Sequence, residues 1–266
     1  MEKVRINCDI ELAYIREGQG FPIILIHGLD GNLASLCNLK DELKNDFDVI
    51  IYDVRGHGKS SKPNAFRLKD HVEDLYILMH KLNVKKAHLI GHDMGGLIAK
   101  HFSDEYASMV ESLTLVACNL VDSVFELNKL MIEHEDEIEG FDKAESLLLL
   151  LPYIYKDKEK AKKWFQSQLI YNRQSAEDSA VATRALMQFP VFNKDTIIEE
   201  TDIPTLIVNG KDDPFVTEEM LNKYKQVFKK LTLVEFNQSG HAPHIEEPKH
   251  FLEAFLNFIK PSVYQE

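Results

Sequence analysis

The stretch "LIGHDMGGLIAK", residues 89 to 100, sets Asp93 midway between Gly91 and Gly95. That is the G-x-S-x-G spacing of a nucleophile elbow, a sharp strand-to-helix turn that lifts its central side chain above a sheet. No other Gly-x-Ser-x-Gly occurs in the chain. A carboxylate in the first turn of a helix is stabilised as an anion by the helix dipole and by free backbone N–H groups, so it needs no base to activate it. Its oxygen can attack an electrophilic sp³ carbon, displace a halide or open an epoxide, and leave an alkyl ester on the chain. Water must then split that ester. The plainer reading is an acidic helix cap without chemistry, but a cap does not require glycine on both flanks.

Splitting an ester calls for a base to activate water and an acid to orient the base. The segment "NGKDDPFVT", residues 209 to 217, offers Asp212 and Asp213, and "SGHAPHIEEP", residues 239 to 248, offers His241 and His244. Nucleophile, acid, histidine is therefore the order along the chain. His88 and His92 are four apart, but on a strand that spacing does not make adjacent ligands, so no metal site is expected.

The elements that must carry these residues are legible in part. Residues 3 to 16 read as two short strands joined through Asn7 and Asp9, an antiparallel hairpin at a sheet edge. The bursts "PIILIH", "DVIIYD" and "AHLIGH" at 22 to 27, 48 to 53 and 87 to 92 suit strands buried on both faces. A helical stretch covers 67 to 83, and "VESLTLVAC" adds another strand. Alternation resumes with "IPTLIVNG" at 203 to 210, a helix near 218 to 229, "LTLVEF" at 231 to 236 and a last helix opened by Glu247 and Pro248. Such a pattern predicts a mostly parallel sheet flanked by helices, with ligand sites outside the carboxyl ends of its strands. Residues 120 to 200 lack strand signals and are too long for a connection. They are expected to form a helical cap, with residues 1–119 and 201–266 as the core, and the acidic run 133 to 145 is expected to be a solvated helix face.

Composition narrows the partners. A formal charge of −12 argues against nucleic-acid and anionic-membrane surfaces and leaves a small-molecule substrate. The three cysteines are too few and scattered for a disulfide framework, which fits a reducing compartment. The N-terminus resembles a strand more than a signal peptide, and the Leu147 to Leu151 run is far short of a membrane span, so a cytoplasmic location is expected. Oligomeric state is not legible.

The pieces "HGLDG" at 27 to 31, "DVRGHGKS" at 53 to 60, "GHDMGG" at 91 to 96, "GKDDPFV" at 210 to 216 and "SGHAPHIEEP" together carry a resemblance. From about residue 10 onward the chain resembles the α/β-hydrolase superfamily, of the epoxide-hydrolase and haloalkane-dehalogenase type. The resemblance implies an α/β-hydrolase fold, no cofactor, Asp93 as nucleophile and His241 as base. Asp213 is preferred to Asp212 as orienting acid because the family's acid sits at that distance from the glycine. The backbone N–H groups of Leu29 and Met94 would form an oxyanion hole. His244 is assigned to packing beside the pocket or to bonding the loop that starts the last helix, His57 to turn structure, and Arg55 to a pair with a nearby carboxylate.

Departures from the pattern matter. Met94 stands where a dehalogenase has a halide-binding tryptophan, and it has no N–H to offer. The lone tryptophan, Trp164, lies in the cap, Leu97 and Met94 replace the arginines of fluoroacetate dehalogenases, and Asp30 replaces the proline usual in epoxide hydrolases. Cap tyrosines serve epoxide hydrolases as acids, and Tyr153, Tyr155 and Tyr171 are candidates here, with Trp164, for substrate contact. The "GHxMGG" form is closer to serine esterases and lactone hydrolases. Three readings follow: hydrolysis of a small, largely apolar substrate through an alkyl ester on Asp93; an esterase- or lactonase-like enzyme whose elbow serine is replaced by Asp93; and a ligand-binding protein without turnover.

Overall fold

A computed structural model describes residues 1–120, 123–187 and 200–260. Its eight strands are β1 (Glu2–Arg5), β2 (Glu11–Glu17), β3 (Phe21–Ile26), β4 (Phe47–Tyr52), β5 (Ala87–His92), β6 (Val110–Val116), β7 (Thr205–Gly210) and β8 (Leu231–Phe236). They form one sheet in the order β1-β2-β4-β3-β5-β6-β7-β8, in which only β1 with β2 and β2 with β4 pair antiparallel. The edge hairpin and the mostly parallel remainder match the sequence expectation.

The apolar bursts are continuous because both faces of the sheet are covered. Along β3, Ile24 and Ile26 join the core beneath α2 (Leu68–Lys81) and α3 (Met94–Glu105), while Ile23 and Leu25 face α1 (Cys37–Leu43) and the last helix. Alternate residues of a strand point to opposite faces, so one short run feeds two cores. In α2 the buried residues Leu68, Val72, Leu75 and Met79 recur at helical spacing, and the Asp70 carboxylate accepts the Arg67 N–H at 2.6 Å, closing the first turn.

Between β6 and β7 the chain leaves the sheet as a helical insertion: α4 (Ser123–Glu133), α5 (Glu135–Ile138), α6 (Lys143–Ile154), α7 (Lys158–Tyr171) and α8 (Ala176–Met187). The expected solvated helix over 133 to 145 is corrected in form. Those residues are largely exposed, but the run is split between the short α5 and a new helix, α6, whose first turn is fixed by Asp142 and Glu145 bonding each other's backbone N–H. After β7 come α9 (Glu218–Val227), α10 (Pro243–Glu246) and α11 (Pro248–Ile259). Among the described residues no helix is long and apolar enough to cross a membrane.

Candidate active site

The strand order runs β4-β3-β5, so the chain reverses direction across the sheet between β3 and β5, and the loops beyond these strands part to leave a crevice. Ile26 pairs with Gly91 in register, which brings the loop after β3 beside the turn after β5. In that turn Asp93 has φ 50° and ψ −118°, a conformation L-residues avoid and one that costs roughly 1–3 kcal/mol. Its N–H bonds the Val116 carbonyl at 3.0 Å, and its carbonyl accepts Gly96 N–H at 2.9 Å, which hold it there. The flanking glycines are required by close approach. A Cβ on Gly91 would sit 2.3 Å from the Gly95 oxygen, and one on Gly95 would sit 2.1 Å from the Ile26 oxygen.

The Leu29 N–H donates to Asp93 Oδ2 at 3.0 Å. Met94 opens α3, so its N–H belongs to the first turn, where no intrahelical acceptor exists. Leu29 thus reaches the Asp93 carboxylate from the loop after β3, while Met94 N–H lies in the first turn directly after Asp93.

His241 lies beyond β8 and Asp213 beyond β7, and the His241 Nδ1–H bonds Asp213 Oδ2 at 3.0 Å. The Asp213 side chain is fully buried, and its other oxygen accepts Phe215 N–H at 2.9 Å. Asp212 instead turns outward to pair with Lys156 at 2.5 Å. Burial alone would push the His241 imidazole down. The charge and hydrogen bond of Asp213, helped by Asp93 and Glu246, outweigh it and hold the pKa above its ordinary value.

Three other buried histidines are held low. His92 donates from Nε2 to the His241 carbonyl at 2.9 Å, and burial next to His241 lowers it to about 4. His244 is buried against His92 and Trp164 and held well below the usual range by burial, as befits packing. His57, lowered to about 4 by burial, takes the Asp30 N–H at 3.3 Å, and Arg55 pairs with Asp74 at 2.6 Å. Both match the structural roles expected of them.

A cavity of about 100 Å³ lies over Asp93 and His241. Its floor is the loop from Gly28 to Gly31 with His92 and Phe215; its roof is Leu127, Leu147, Leu151, Ile154, Tyr155, Trp164 and Phe165 from the insertion. Of the four insertion residues expected to meet substrate, Tyr155 and Trp164 line this cavity. Tyr153 and Tyr171 do not, and that expectation is corrected. Tyr153 is exposed and bonds Glu137 at 2.9 Å, and the Tyr171 hydroxyl donates to Asp53 at 2.9 Å. The Trp164 N–H is committed to the Ser35 carbonyl at 2.8 Å. Burial, then the charges of Asp213 and Asp93, raise Tyr155 far above the ordinary phenol, so it keeps its proton.

Sequence reasoning missed Glu246. Its carboxylate is 2% exposed and accepts four backbone N–H groups. Lys156 and Asp157 of the insertion donate to Oε1 at 2.7 and 2.9 Å, and Gly240 and Ala242 beside His241 donate to Oε2 at 2.9 and 3.3 Å. His241 N–H also bonds the Ile154 carbonyl at 3.0 Å. A Cβ on Gly240 would lie 2.3 Å from that same oxygen, so this approach excludes a side chain. The leucines of the roof were visible as the run 147 to 151, whose length alone says nothing of the face it presents.

A sheet of this order, with a strained carboxylate elbow after its fifth strand and a histidine after its eighth, defines an α/β-fold hydrolase. The chain belongs to that family: the model described as alpha/beta hydrolase fold matches residues 22–248. Lipase 3 of Moraxella sp. (strain TA144) is 28% identical over 246 residues, covering 86% of this chain and 74% of the lipase. A thermophilic esterase from Thermogutta terrifontis superposes with a TM-score of 0.79 at 23% identity, over 97% of this chain and 98% of that one. Bacillus megaterium epoxide hydrolase superposes with a TM-score of 0.74 at 21% identity, over 97% of this chain and 99% of that one. The two structural likenesses speak to fold alone.

Proposed function

We propose that this hydrolase opens an epoxide on a small, largely apolar substrate through an alkyl ester on Asp93. The observation that carries the reading is the Asp93 carboxylate itself, raised on the elbow, facing the cavity, with one oxygen held by Leu29 N–H. Asp93 attacks an epoxide carbon, the C–O bond breaks, and the leaving oxygen takes the Tyr155 proton. His241 then removes a proton from water, and the hydroxide attacks the ester carbonyl while Leu29 and Met94 N–H groups hold the oxyanion. Collapse releases a diol and restores the carboxylate, and the proton on His241 returns to Tyr155 through solvent. Halide displacement is the weaker variant, because the Trp164 N–H is already taken by Ser35.

The His241→Gln variant tests this directly. Exposed to a panel of epoxides, alkyl halides and activated esters, it should stall after the first step and gain the mass of the epoxide, mapped to Asp93. No adduct from any compound, together with ester turnover by the wild type, would reject the covalent step. That outcome would favour the second reading, ester hydrolysis, which the similarity to Lipase 3 supports.

The raised His241 pKa sets the pH profile. His241 acts as a base only when neutral, so kcat should rise with pH through a limb centred above 6.5. Asp213→Asn removes the leading upward influence, so the limb should move to lower pH while kcat falls about 10²-fold or more. A limb that stays in place in this variant would contradict the assigned pair.

A further inference from the structure

Helix α6 touches two of the loops that build the site. Lys143, Leu147, Leu151 and Ile154 are spaced by four, four and three residues, so they lie along one stripe of the helix. At one end of that stripe the Lys143 ammonium pairs with Asp30 Oδ2 at 2.5 Å. At the other the Ile154 carbonyl accepts the His241 N–H at 3.0 Å. Between them Leu147 and Leu151 roof the cavity over Asp93.

Asp30 occupies a tight turn. Gly31 N–H bonds the Gly28 carbonyl at 3.1 Å, and Asp30, third in that turn, has φ 56°, where glycine is the default residue. Its N–H donates to His57 Nε2 at 3.3 Å, and the residue before it, Leu29, gives its own N–H to Asp93 Oδ2 at 3.0 Å. Glycine would relieve the backbone here, so the carboxylate calls for a reason of its own, and the ion pair supplies one. The pair is sheltered: its side chains are 13% and 27% exposed, and Lys143 Nζ also donates to Ser179 Oγ of α8 at 2.8 Å. Without the ammonium, a largely buried carboxylate would lack its counter-charge and turn toward water. One residue away, the Leu29 N–H would move with it.

We propose that Lys143 and Asp30 are positioning residues, a clasp between the insertion and the loop after β3 that aligns the Leu29 N–H and so completes the oxyanion hole. The inference rests on the reading of Leu29 as an oxyanion donor, a role common to the epoxide and the ester mechanisms. One helix then both covers the substrate and aligns a group that stabilises the oxyanion.

Amide hydrogen exchange of Leu29, followed by NMR in the substrate-free protein, tests the clasp without any turnover. In Lys143→Met it should be about tenfold faster than in the wild type, while Leu25 in the middle of β3 keeps its rate. Lys143→Arg keeps the charge and should stay within about threefold. Asp30→Asn, a residue that tolerates this φ, should give a similar rise, and it replaces Lys143→Met if that variant speeds Leu25 as well. The double variant should be no faster than the faster single one, because both remove the same pair. A Leu29 amide that exchanges freely in the wild type, an unchanged rate in both single variants, or additive effects in the double variant overturns the clasp. The chemistry gives a second readout. After a single turnover with styrene oxide, the ester on Asp93 should decay about tenfold more slowly in Lys143→Met, with KM within about twofold. A raised KM with unchanged decay would make Lys143 a wall of the cavity and nothing more, which also overturns the proposal. If no ester forms in any variant, the covalent reading fails, and the exchange rates alone decide on the clasp.

Discussion

Asp93→Asn should lower kcat/KM for an epoxide substrate by about 10⁴-fold or more, with folding stability close to that of the wild type. The size of the loss follows from the role: an amide is not an anionic nucleophile, and removing a nucleophile typically leaves only the catalysis supplied by binding and the oxyanion donors. The small effect on folding follows from the turn. Asparagine is among the residues that best tolerate positive φ, and its carbonyl oxygen can still accept Leu29 N–H. Steady-state kinetics and a denaturant melt on the same sample separate the two effects. Turnover within tenfold of wild type would mean that water, not Asp93, attacks. Gain of ester turnover in Asp93→Ser would show that the elbow and its N–H donors still serve a serine mechanism.

Glu246→Ala should be the most destabilising single change near the site, at roughly 3–5 kcal/mol. Four backbone N–H groups lose their acceptor at once, in a place where the side chain is 2% exposed and water has little access. A lower denaturant midpoint with an unchanged slope would show it as a stability effect. Glu246→Gln keeps one acceptor oxygen and should cost less. It also removes a charge that helps raise His241, so the kcat limb of this variant should move to lower pH. A cost under about 1 kcal/mol for Glu246→Ala would mean that the insertion is anchored by other contacts.

The inner strands β3 to β7 were legible because burial on both faces makes each a largely apolar burst, and burial on both faces follows from parallel pairing. The elbow was legible because a strained turn needs glycines at fixed offsets. What escaped was of another kind. The turn Leu33–Leu36 and α1 are too short to show a helical period. Tyr153 and Tyr155 are two residues apart, and positions so spaced at a helix end face different ways, so composition could not say which meets the cavity. Asp212 and Asp213 were separable only through the family spacing, while the structure distinguishes them by partner: Lys156 for one, His241 for the other. Glu246 was invisible because its donors in the insertion lie 89 and 90 positions away in the chain, and no local pattern records such a bond.

The close approach of Ile154 to Gly240 has an implication for engineering. Residues 154 to 157 are a seam, where one carbonyl and two N–H groups of the insertion are matched to the histidine loop. A foreign roof grafted onto this chain to change selectivity would have to be spliced in upstream of that seam, within α4 to α6. Replacing the whole block would bring a new pocket and at the same stroke unfasten the base.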